Sequence, residues 1–131
     1  MKKWMVLSLI VLAVMGAVAP FAYAGRKAGE QPAPRLLSPT DLVDLTGKDK
    51  LIFTWGTEGD RSAITYYDFK IYKGHETFEA GLIRREKVAA SDSSIAIESS
   101  LFENGGTYAW QMRSMGLRKS RSAYSIFKVK K

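Results

Sequence analysis

Leu101-Phe102-Glu103-Asn104-Gly105-Gly106-Thr107-Tyr108-Ala109-Trp110-Gln111-Met112-Arg113 is the stretch on which the fold turns. Asn104-Gly105-Gly106 has the residue types of a turn. Beyond it, large apolar side chains fall at 108, 110 and 112, with Ala109, Gln111 and Arg113 between them. Successive residues of a strand point to opposite faces, so this is the pattern of a strand with one buried side.

Working outward, the same period of two recurs along the chain. Leu51, Phe53 and Trp55 alternate with Ile52 and Thr54, and Tyr67, Phe69 and Ile71 alternate with Asp68 and Lys70. Ile95 and Ile97 alternate with Ser94, Ala96 and Glu98, and Phe127 and Val129 alternate with Lys128 and Lys130. Ser38-Pro39-Thr40-Asp41 reads as the turn that ends a first short strand, and 56–62 links the second strand to the third. A further strand over 82–89 gives about seven, at 35–38, 50–55, 65–73, 82–89, 94–98, 107–114 and 122–130. Over 80–90 a helix is the competing reading, because Arg84-Arg85-Glu86-Lys87 tolerates helix and Leu82, Ile83 and Val88 do not decide. About seven short strands in about 100 residues predict an all-β fold, two antiparallel sheets packed face to face. Trp55 and Trp110, on strands assigned to opposite sheets, are both expected in its core.

With 131 residues the chain has room for one small domain. It has no cysteine, which excludes a disulfide framework, a thiolate metal site, a cysteine nucleophile and a lipidated N-terminal cysteine. His75 is its one histidine. At the N-terminus Lys2 and Lys3 precede an apolar run from Trp4 to Ala19, then Pro20 and Ala22-Tyr23-Ala24. Charge, apolar core, helix breaker and a small-x-small site are the order of a secretory signal, so 1–24 are expected to be removed and Gly25 to begin the mature protein. The alternative is an uncleaved anchor, since counting on to Ala24 brings the stretch to about the 20 residues a membrane span needs. With the cut made, the address is outside the cytoplasm, periplasmic or extracellular, and the short two-lysine leader suits a bacterium. Residues 25–34 contain Gly25, Gly29, Pro32 and Pro34 and, the prolines apart, no apolar side chain larger than alanine. They read as a flexible linker with nothing to bury, ahead of a domain at 35–131.

From roughly Pro34 to Lys130 the chain resembles a fibronectin type III domain of the kind found in exported bacterial proteins. The resemblance rests on Leu36-Leu37-Ser38-Pro39 closing the first strand, Leu51-x-Phe53-x-Trp55, Tyr67-x-Phe69-x-Ile71, and 101–106 leading into Tyr108-x-Trp110-x-Met112. It implies a core role for Trp55. It also implies that the Tyr108 hydroxyl closes a corner on the backbone upstream, where a buried phenol finds the partner it needs. The loop between the last two strands has no Arg-Gly-Asp, so integrin-type adhesion is not implied.

Catalysis finds no foothold. No serine stands in a Gly-x-Ser-x-Gly turn, and there is no glycine-rich phosphate loop. His75, with Glu76 and Glu79 nearby, follows Gly74 in a polar turn and reads as solvated loop. Asp41, Asp44, Asp49, Glu58 and Asp60 lack the dense spacing of a calcium loop and read as charged surface. No cofactor and no metal is expected, and nucleic acid is not an expected partner.

Charge is distributed unevenly. The formal charge is +7, and after Glu103 there is no acidic residue, whereas Arg113, Arg118, Lys119, Arg121, Lys128, Lys130 and Lys131 all add positive charge. Arg118, Lys119 and Arg121 cluster in the connection between the last two strands, where they suit phosphate, an acidic glycan or an anionic envelope surface. Solubility and protection of a sheet edge are the plainer reading of the same residues. Strand parity turns Tyr66 and Tyr72 outward beside Gln111 and Arg113, a face able to stack on sugar rings or meet a protein. The expected role is a non-catalytic exported binding or adhesion module for a protein or an anionic envelope or glycan component. Carbohydrate binding and a structural envelope subunit are the alternatives, and contact with a membrane is expected only through an uncleaved leader.

Overall fold

In the computed structural model, which describes residues 31–131, each of the seven expected strands is present. They are β1 (Pro34–Ser38), β3 (Lys50–Thr57), β4 (Ile64–Lys73), β5 (Leu82–Ala89), β6 (Ser94–Glu98), β7 (Thr107–Gly116) and β8 (Ala123–Lys130). An eighth, β2 (Asp41–Asp44), was not expected from its sequence. The strands form a three-stranded sheet in the order β1-β3-β6 and a five-stranded sheet in the order β2-β8-β7-β4-β5. The leader at 1–24, its cleavage site and the first part of the linker lie outside the described residues.

β2 begins at the last residue of the stretch that reads as a turn. Pro39, which has no N–H to give a ladder, follows β1 through a cis peptide bond, and Asp41 takes a left-handed conformation at φ 56°. Here the chain leaves the first sheet, and Asp41 to Asp44 pair in parallel with Phe127 to Lys130 of β8. The helix alternative over 80–90 is settled in favour of strand, since β5 pairs antiparallel with β4 from Tyr66↔Ala89 to Tyr72↔Leu82. Its charged run is accommodated by cross-strand pairing: the Arg85 guanidinium holds both oxygens of Asp68 at 3.1 Å.

The core lies between the sheets. Phe53 of β3 meets Phe69, Trp110 and Phe127 of the opposite sheet edge to face, at ring-centroid distances of 5.1, 5.1 and 5.7 Å. Edge-to-face contact satisfies the aromatic quadrupole, so these rings add orientation to plain burial. Trp55 and Trp110 are both buried, on opposite sheets as expected. The corner also closes as expected: the Glu103 N–H donates to the Tyr108 hydroxyl at 2.8 Å, while the Gly105 N–H and the Gly106 carbonyl bond to Val129 of β8.

Where β5 and β6 end the two sheets, Arg84 ties them together. Its guanidinium bonds to Glu98 of β6 and, at 3.3 Å, to Glu86 of its own strand. The Glu98 carboxyl is held below its ordinary 4.5, first by its own backbone N–H and then by Arg84. A carboxyl depressed on folding contributes stability that is present above about pH 4.5 and lost as pH falls through the folded value. Glu98→Gln should therefore lower the urea midpoint at about pH 7, and the gap to wild type should close by about pH 3. A gap that stays constant across that range would show that the bridge adds nothing.

Candidate functional site

The loop between β7 and β8, residues 117–122, is built on two serines. Along β7 the inward positions run Tyr108, Trp110, Met112 and then Ser114, a buried polar residue that breaks the apolar series. All of its polar groups are engaged. The Ser114 N–H donates to the Ser120 hydroxyl at 2.8 Å, its carbonyl accepts the Ser120 N–H at 2.9 Å, and its hydroxyl donates to the Pro32 carbonyl at 2.7 Å. The Ser120 hydroxyl in turn donates to the Arg121 carbonyl at 2.8 Å. A buried polar network satisfied at each atom is rigid, so the loop leaves the sheet and returns to it at fixed points.

With Ser120 turned inward, Gly116, Leu117, Arg118, Lys119 and Arg121 lie on the surface. Leu117 at the tip is 99% exposed. Any side chain at Gly116 would run into the Ala63 carbonyl oxygen, so the loop begins at a residue without a Cβ. On the returning arm, the Arg113 guanidinium donates to the Ser122 hydroxyl at 2.7 Å. Arg113, singled out in the sequence as a ligand-binding cation, is thus a support of the basic loop.

The chain reaches the sandwich at this same end. Pro32 and Pro34 are buried, the Pro32 carbonyl is held by Ser114, and the Gln31 amide lies 3.5 Å from the Ala63 carbonyl. The last residues of the expected linker are therefore docked, which corrects the reading that they have nothing to bury. Five cations, Arg35, Arg61, Arg118, Lys119 and Arg121, share the end with three carboxylates, Glu58, Asp60 and Asp92. Glu58 is neutralised by Arg35 at 2.9 Å. Asp60 caps the Ser62 N–H at 2.9 Å, and the hydrogen bonds from Ser62 hold its carboxyl below its ordinary value.

The tyrosine face needs correction. Tyr72 points to the outer side of the five-stranded sheet, as parity requires, yet it is only 1% exposed. Its cross-strand neighbour is the small Ala109, which leaves the phenol room along the sheet, and its hydroxyl donates to Gln111 Oε1 at 3.2 Å. Burial, then the Glu79 and Asp68 carboxylates, hold this phenol above its ordinary 10.0. Tyr66 is half-buried, with the Lys87 ammonium 4.3 Å from its ring centroid. Neither ring offers a clear stacking platform. An exposed aromatic of that side is Tyr124, 63% exposed, with Ile126 two residues further along β8 and Leu42 on β2 opposite Lys128. Arg118, Lys119 and Arg121 share one loop, Arg113 is bonded to its returning arm, and Tyr66 and Tyr72 lie apart on β4.

His75 lines a shallow hollow with Lys73, Gly74, Glu76 and Phe78, its Nε2 3.8 Å from Glu76. Among the described residues no three His, Asp or Glu side chains are grouped as metal ligands would be. Asp44 is instead spent on capping the Thr46 N–H at 2.9 Å.

No protein-family model and no curated protein matches the chain. Solved structures do. One, a β-sandwich protein from a computer-based redesign, superposes with a TM-score of 0.54 at 13% identity, covering 76% of this chain and 90% of its own. The shared fold is a β-sandwich of two packed sheets. A human contactin 1 fn3 domain aligns at 12% identity with a TM-score of 0.48, over 82% of this chain and 92% of that one. At such identities a likeness concerns the fold, and a β-sandwich hosts many roles.

Proposed function

We propose that the protein is an exported, non-catalytic binding module that recognises an anionic component of the cell envelope through the loop between β7 and β8. The observation that carries this reading is the Ser114–Ser120 clasp, which spends the polar groups of its own serines internally and presents Arg118, Lys119 and Arg121 on one rigid tip. A loop backbone fixed in advance loses less freedom on binding than a mobile one. The Lys2-Lys3 start, the apolar run and Ala22-Tyr23-Ala24 support export, with Gly25 as the mature N-terminus.

The test uses protein recovered from an exporting host, whose intact mass should begin at Gly25. Wild type should be retained on heparin at low salt and released as salt rises, because exposed charges are screened beyond about 8 Å at physiological ionic strength. Replacing Arg118, Lys119 and Arg121 by serine should abolish that retention with little change in unfolding midpoint, since exposed charges add little to folding. Equal retention of both proteins would reduce the loop to a solvated edge guard. A second reading, docking of a protein on the outer face of the five-stranded sheet, is favoured by the exposed Leu42, Tyr124 and Ile126. Burial of Tyr72 removes the main support for carbohydrate stacking.

A further inference from the structure

Resting on that reading, we infer that the anionic component is the surface of a phospholipid bilayer, into which Leu117 inserts while Arg118, Lys119 and Arg121 meet the lipid phosphates. Leu117 is the most exposed large apolar side chain among the described residues, and it stands at the apex of the loop with Arg118 and Lys119 directly after it. A soluble polyanion or free phosphate gains nothing from a naked leucine. A protein partner would be met by an apolar patch with a polar rim, whereas Leu117 is flanked by Gly116 and two cations. A bilayer surface supplies both halves of the match, negative charge at the headgroups and hydrocarbon beneath them.

Two further observations agree. The clasp fixes the base of the tip, so Leu117 is presented without ordering the loop first. The chain also leaves the described sandwich at this end, because Gln31 and Pro32 are bonded to Ala63 and Ser114. The surface is then met end-on, with the sheet faces left open to other contacts.

The test is flotation with vesicles of phosphatidylcholine alone and of phosphatidylcholine with phosphatidylglycerol, alongside heparin retention. Wild type should float with the anionic vesicles and not with the neutral ones. The triple serine variant should bind the anionic vesicles about 100-fold more weakly, at about fivefold per cation lost. Leu117→Ser should lose about tenfold or more on vesicles while its retention on heparin is unchanged. Leu117→Trp should show a blue-shifted emission when anionic vesicles are added. Vesicle binding by Leu117→Ser equal to wild type, or no shift from Leu117→Trp, overturns the bilayer inference and leaves anion recognition standing. A triple variant retained like wild type on heparin as well as on vesicles overturns both.

Discussion

Replacing Trp110 by alanine should lower the free energy of unfolding by about 3–5 kcal/mol, the range for deleting a large aromatic from a packed core. The indole is 0% exposed and packs against Phe53 and Phe69 at 5.1 and 6.0 Å. It also does something a purely apolar ring cannot. Its Nε1–H donates to the Pro39 carbonyl at 3.0 Å, which fastens the core to the point where the chain passes from β1 in one sheet to β2 in the other. Alanine therefore opens a cavity and leaves that buried carbonyl without its donor, two separate costs. Against a total of about 5–15 kcal/mol for a domain of this kind, the variant is expected near the edge of folding. Urea titration measures it. A loss below about 1 kcal/mol would mean that the indole is not seated as described. Trp55 offers the contrast, since its buried Nε1 has no hydrogen-bond partner and its contribution is packing, including an edge-to-face contact with Tyr67 at 5.9 Å.

Tyr108→Phe should cost about 1–3 kcal/mol although it removes a single oxygen. The ring would keep its stacking on Phe127 at 5.7 Å and its edge contact with Phe102 at 5.0 Å. What disappears is the acceptor for the Glu103 N–H, at the crossing that joins β6 to β7. The corner is tight: a Cβ on Gly106 would come within 2.7 Å of the Tyr108 ring and 2.8 Å of its hydroxyl. With so little room, no side chain is placed to take over the lost bond. Unfolding should shift to lower denaturant, and exchange of the Glu103 amide should quicken relative to the amides of β7. An unchanged exchange rate at Glu103 would show that the hydroxyl is not its protector.

The loop shows how a site can be half legible. Arg118, Lys119 and Arg121 stand out in the sequence because charge is a local property and no acid follows Glu103. The serines that give the loop its shape do not stand out, because serine is common in turns. The available signal was parity, since Ser114 occupies the inward place that Tyr108, Trp110 and Met112 fill with bulk. Arg113 and Tyr72 mislead for a related reason. Parity tells which side of a sheet a residue is on, but whether it is free there depends on its neighbours, Ser122 for one and Ala109 with Gln111 for the other.

Period-two alternation by itself determined that β3, β4, β6, β7 and β8 are strands, and with it that Phe53, Trp55, Tyr67, Phe69, Trp110 and Phe127 face a common core. The physical reason is that a side chain's face on a strand follows from its place in the chain alone. The tertiary structure alone decided β2, whose Asp41-Leu42-Val43-Asp44 has no alternating apolar face and becomes a strand only against the free edge of β8, distant in sequence. It likewise decided β5, where a run tolerant of helix takes the extended form because β4 supplies hydrogen bonds and Asp68 receives Arg85. Backbone pairing and ion pairing of this kind require two segments to meet, so neither is written in the segment that adopts it.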